Sequence, residues 1–200
     1  RNSRRSTGVA PDSDPGPRLI AHLDALVRDL RQNHRETSLR LHRMAKPTVA
    51  IVNGHAVGAG MSIALACDLR LAGPGARFGT AFRNVALSGD YGGTYSLQRI
   101  VGAGRARELY FTAEIFDARR ALELGIANHV FEGDAWFEDA LAFCAKLADG
   151  PSASYGRMKE NLNLAETASL EAVLDQEALL QRAGGMAGES REAVRAFLEK

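Results

Sequence analysis

The chain has 200 residues, 46% hydrophobic and 24% charged, with a formal net charge of +1. This is the balance of one globular domain with a proper core. It argues against a nucleic-acid surface, and no apolar run reaches the ~18 residues of a membrane helix.

Residues 1–17 hold Arg1, Arg4, Arg5 and three prolines and little that is apolar, so they predict a mobile loop or tail. Its arginines are either solvated or available to phosphates. No charged-then-apolar leader pattern follows. From 18 to 45, Leu19, Ile20, Leu23, Leu26, Val27 and Leu30 recur at three- and four-residue steps and predict a helix ended before Pro47. His22, His34 and His42 lie in its polar part and receive no role.

Thr48–Val52 reads as a buried strand. A small-residue turn with Gly54, Gly58, Ala59 and Gly60 leads to a helix over Met61–Cys67, ending at Asp68. Two readings of this turn stand. Small residues permit close helix–strand packing. Alternatively, they bring backbone N–H groups at a helix start up to an anion or a developing negative charge. The spacing fits neither a dinucleotide-binding fingerprint nor a phosphate-binding P-loop.

Leu69–Ala72 and Ala76–Gly79 predict further strands, with a turn at 73–75. Asp90 follows Gly89 and precedes a helix that starts near Tyr91–Thr94. It is either a cap or turn residue or a working carboxyl group. Helices are predicted over 95–101 and 104–112, then over 118–124 with Asp117 as cap and Gly125 as stop. Ile126–Phe131 reads as a late strand, with His129 structural. From Asp134 the chain is helical, in four segments of which the last is Glu189–Leu198. Cys67 and Cys144 suit free thiols in a reducing cytoplasm, and no metal-spaced cluster is present.

Lys46-Pro47, the strand, Asn53-Gly54, Gly58-Ala59-Gly60 and Cys67-Asp68 together resemble the enoyl-CoA hydratase/isomerase (crotonase) superfamily. Ala76–Gly79, Gly92-Gly93-Thr94, Arg99–Gly102 and Ala121–Asn128 continue the resemblance over roughly residues 44 to 200. It implies an α/β fold: a crotonase-like (ClpP/crotonase) ββα spiral core over 18–133 and a helical trimerisation region over 134–200. It also implies an N-terminal region, absent from this sequence, with the first strands and one oxyanion-hole loop.

For function the resemblance implies an acyl-CoA substrate, no permanently bound cofactor, and a homotrimer or a hexamer of two trimers. The Ala59 N–H would stabilise a thioester enolate, with Gly58 and Gly60 beside it. The two hydratase glutamate positions are here Ser62 and Phe82. Asp90 matches branches with a single decisive aspartate, so double-bond isomerisation is the expected chemistry. Leu87 and Tyr91 are expected at the substrate. Hydration, hydrolysis or dehalogenation with Asp90 as nucleophile, and a non-catalytic acyl-CoA- or RNA-binding relative are the alternatives.

Overall fold

The computed structural model describes residues 16–186 together with Arg195 and Leu198. The basic residues of the expected tail, and the expected last helix apart from those two positions, lie outside the described residues.

The chain divides into two compact units, one up to Asn33 and one from His34. Helix α1 (Pro17–His34), which belongs to the first unit except for His34, forms as its apolar spacing requires. The stripe of Leu19, Ile20, Leu23, Leu26, Val27 and Leu30 is 42–50% exposed.

The second unit opens with one π-helical stretch, Arg35–Leu39, and helix α2 (Arg40–Arg43). Strands and helices then repeat in a strand–strand–helix order. Strand β1 (Val49–Val52) and strand β2 (His55–Val57) precede helix α3 (Ala59–Ala66). Strand β3 (Leu69–Ala72) and strand β4 (Arg77–Gly79) precede helix α4 (Gly93–Thr112). Strand β5 (Phe116–Asp117), helix α5 (Ala118–Glu123) and strand β6 (His129–Val130) follow. Helices α6 (Trp136–Ala148), α7 (Ser152–Ala165) and α8 (Leu170–Met186) end the described chain.

Alternate strands enter different sheets. One sheet has the order β1-β3-β6, all parallel, with Val49 opposite Leu69 and Leu71 opposite His129. The other has the order β2-β4-β5, with β4 and β5 antiparallel. This is the expected ββα winding. Parallel neighbours need a crossover, and a helix in each turn of the winding supplies apolar cover. Met61, Leu65, Leu71, Phe78, Leu97, Leu109 and Ile126 fill the core, all at most 5% exposed.

Two local expectations shift. Helix α3 starts at Ala59, two residues early, because Gly58 takes the conformation that begins it. The glycine-rich turn contains β2, too short to signal itself and formed by pairing with β4. Helix α4 is broken at Gly102, whose φ of 79° and ψ of 158° are non-helical, so the helices expected over 95–101 and 104–112 lie on either side of that break. Asp117 caps α5 as expected, its carboxylate accepting the Arg120 N–H at 2.9 Å.

Two buried polar clusters tie the winding together. Lys159 of α7, 7% exposed, donates from Nζ to Asp68 Oδ2 at 2.7 Å and to the Leu41 carbonyl at 2.8 Å. Asp68 Oδ2 also accepts from Thr48 N at 2.6 Å and Thr48 Oγ1 at 2.8 Å. Arg70 donates to the carbonyls of Cys67 and Ile126 and to Asn128 Oδ1. Among the described residues, no helix is long and apolar enough to cross a membrane.

Candidate active site

The site begins where α3 does. Gly58 has φ 59° and ψ −122°, a region open in practice to glycine. Its N–H donates to the Gly79 carbonyl at 2.9 Å, and its own carbonyl accepts Ser62 N at 3.0 Å and Ser62 Oγ at 3.2 Å. An added Cβ would meet Thr80 O and the Phe82 ring at ordinary contact distances of 3.6–3.8 Å. The backbone conformation, not crowding, therefore requires glycine here. The N–H groups of Ala59 and Gly60, in the first turn, have no intrahelical acceptor. Space beside Gly60 is open, with nothing within 4 Å of an added Cβ.

One turn into α3, Ser62 is 2% exposed. It faces α4 at a close approach. A Cβ added to Gly93 would overlap Ser62 Oγ and stand 2.7 Å from Tyr110 Oη. Tyr110 lies in the last turns of α4. Its ring lies parallel to that of Phe82, with centroids 6.2 Å apart. Its hydroxyl interacts with Ser62 and feels the Asp90 carboxylate. Burial first, and Asp90 second, push the Tyr110 phenol above its ordinary range, against an opposing hydrogen bond with Ser62. The group is a neutral phenol at physiological pH.

Asp90 is half-buried, and its Oδ1 is buried without a hydrogen-bond partner. Its carbonyl accepts Gly93 N–H at 3.0 Å, closing a turn. Tyr91 within that turn has φ 47°, a left-handed conformation costing a non-glycine residue about 1–3 kcal/mol. Its N–H donates to His34 Nε2 at 3.1 Å, and the two rings meet edge-on with centroids 4.7 Å apart.

Gly58, Ser62 and Phe82 are thus linked to the neighbourhood of Asp90 through Tyr110. Leu87 is joined to Phe82 by its N–H donating to the Phe82 carbonyl at 3.0 Å, but its side chain is 64% exposed and packs little against the site. Tyr91 and Gly92 reach a cleft of ≈ 610 Å³ that His34, Ser38, His42 and Tyr95 also line. A second cleft, between α7 and α8, contains none of the candidate residues.

Sequence reasoning missed Tyr110 and His34. Tyr110 had one weak signal: a tyrosine beside the apolar Leu109 on a packed helix, whose hydroxyl needs a partner when buried. His34 had none, since its partner is 57 residues away. Cys67 adds no chemistry, as burial pushes its thiol up and keeps it protonated. Among the described residues no His, Cys, Asp or Glu cluster could hold a metal ion.

Residues 20–200 match the family model described as enoyl-CoA hydratase/isomerase. The chain is 34% identical over its whole length to the 1,2-epoxyphenylacetyl-CoA isomerase of Escherichia coli K12, covering 72% of that protein. It is 32% identical to the short-chain-enoyl-CoA hydratase of Clostridium acetobutylicum, over 80% of this chain and 62% of that protein. A solved structure from Thermobifida fusca YX in complex with acetoacetyl-CoA superposes with a TM-score of 0.75 at 32% identity, over 82% of this chain and 64% of that one. The chain therefore spans between about three-fifths and three-quarters of the length of these relatives.

Proposed function

Because this chain belongs to the enoyl-CoA hydratase/isomerase family, we propose that it moves a double bond within an acyl-CoA thioester, with Asp90 carrying the proton. The N–H of Ala59 hydrogen-bonds the thioester oxygen, flanked by Gly58 and Gly60, and a second donor comes from another loop. A preorganised donor of this kind is worth about 3 kcal/mol to an enolate. Asp90 removes a proton from the carbon beside the thioester carbonyl, leaving an enolate that extends over the double bond, and returns the proton two carbons further along, so that the double bond moves next to the carbonyl. No water is added and no electron leaves the substrate, so one carboxyl group suffices. Coenzyme A is part of the substrate, and no other group is needed.

The observation that carries this reading is the pairing of a buried, unpartnered carboxylate oxygen at Asp90 with the absence of carboxyl groups at Ser62 and Phe82. Hydration needs a base for water and an acid for carbon. Phe82 instead stacks on Tyr110, and Ser62 bonds the Gly58 carbonyl. Hydration stands as the second reading, favoured by the similarity to a named hydratase. In the assembly we infer, helices α6–α8 contribute to a homotrimer or hexamer, which light scattering measures directly.

The test uses trans-3-hexenoyl-CoA for isomerisation and crotonyl-CoA for hydration. Isomerisation is expected to dominate, and Asp90→Asn to reduce its turnover by about 10²-fold or more. Dominant crotonyl-CoA hydration, or near-normal isomerisation by Asp90→Asn, overturns the reading.

A further inference from the structure

We propose that His34 is a positioning residue for Asp90, acting through the peptide group between Asp90 and Tyr91. The inference rests on the reading of Asp90 as proton carrier.

Both ends of that peptide group are held. Its carbonyl, belonging to Asp90, accepts the Gly93 N–H at 3.0 Å. Its N–H, belonging to Tyr91, donates to His34 Nε2 at 3.1 Å. A peptide group is planar. Fixing both of its polar atoms therefore fixes the position of the Asp90 Cα and the direction of its Cα–C bond, which leaves only rotation about that bond to set where the Cα–Cβ bond points. The carboxyl group has little else to aim it, because Oδ1 has no hydrogen-bond partner. A carboxylate that must stay free to take a proton is better aimed by its backbone than by bonds to its own oxygens.

The turn needs this support. Tyr91 and Gly92, its central residues, have φ of 47° and 76°. Two successive left-handed residues favour Gly, Asn or Asp. Gly92 meets that demand and Tyr91 does not. His34 compensates in two ways: Nε2 supplies a lone pair to the Tyr91 amide, and the imidazole and the Tyr91 ring pack edge-on. The histidine stands immediately before the π-helical stretch Arg35–Leu39, 57 residues from Tyr91, so the turn is braced by a distant element.

Two substitutions test this. His34→Leu keeps bulk and removes the acceptor, whereas His34→Gln offers an acceptor oxygen. Amide exchange at Tyr91 is expected to accelerate at least about tenfold in His34→Leu, as one local hydrogen bond is lost. In the same variant kcat for trans-3-hexenoyl-CoA is expected to fall by about ten- to a hundredfold with KM nearly unchanged, since a small misplacement of a reacting group has that cost. His34→Gln is expected to recover part of both effects. Wild-type amide exchange at Tyr91 in His34→Leu overturns the inference, and so does an equal loss of turnover in the two variants. Asp90→Asn separates the two levels: normal turnover there removes Asp90 as proton carrier, while Tyr91 exchange still decides whether His34 holds the turn.

Discussion

The rings of Phe82 and Tyr110 lie parallel, their planes 6° apart and their centroids 6.2 Å apart. Phe82 is 6% exposed and closes one side of the space around Gly58 and Ser62. A carboxylate placed there would be buried without a partner. Phe82→Glu is therefore expected to cost about 3 kcal/mol or more at neutral pH and to regain part of that in acid, where the carboxyl is protonated. Thermal melting at two pH values checks it. A variant as stable as the parent at neutral pH would show that an unseen partner serves position 82.

Tyr110 gives an alkaline signature. Its folded-state pKa is raised above the ordinary value, chiefly by burial and then by Asp90. The folded chain thus keeps this proton after the unfolded chain has lost it. The resulting stabilisation is complete below about pH 10, the ordinary tyrosine value, and is lost as pH rises through the raised one. Cys67, also raised by burial, adds a decline of the same sign from a lower starting point. Tyr110→Phe is expected to flatten the upper part of the decline in melting temperature and to leave the Cys67 part. An unchanged alkaline profile would contradict the burial of this hydroxyl.

The contact between α3 and α4 depends on Gly93. An added methyl group would overlap Ser62 Oγ and crowd Tyr110 Oη. Gly93→Ala is expected to lose about 1–3 kcal/mol, the usual cost of overpacking. Adding Ser62→Ala should restore part, because the nearest obstructing atom is then gone. Denaturant titration of the single and double variants measures both, and additive losses would sink the explanation.

Lys159 and Asp68 join α7 to the end of α3 and to β1. Lys159→Met leaves Asp68 with only its Thr48 bonds. The expected loss is about 2–4 kcal/mol, below the full cost of breaking a buried pair because the Asp68 side chain is 30% exposed. The double change with Asp68→Asn is expected to recover part of it, as no charge then stands alone. A double variant less stable than Lys159→Met would show that Asp68 earns its place through Thr48 alone.

Much of this was legible in the order of residues. Thr48–Val52 announced itself as an apolar, β-branched run between Pro47 and Asn53-Gly54, Leu69–Ala72 and Ala76–Gly79 as short segments on either side of the turn at 73–75, and Asp117 by its place before α5. The glycine turn marked the start of α3, and the loop before α4 drew attention to Asp90. These are local effects: backbone preference, capping and periodicity act within a few residues.

What tertiary structure alone decided lies further apart along the chain. The three residues of β2 carry too little pattern to read, and β4 makes them a strand. Tyr110 looked like helix filling until α4 set it against Phe82, Ser62 and Asp90. His34 looked like one more polar residue until the fold carried it to the amide of Tyr91. Sequence by itself determined the alternating strands and helices and the main carboxyl candidate, which depend on near neighbours, and its motif order carried the resemblance that implied the family and the winding. Which groups surround that carboxyl depended on packing, since a hydrogen bond is set by distance in space and not by separation along the chain.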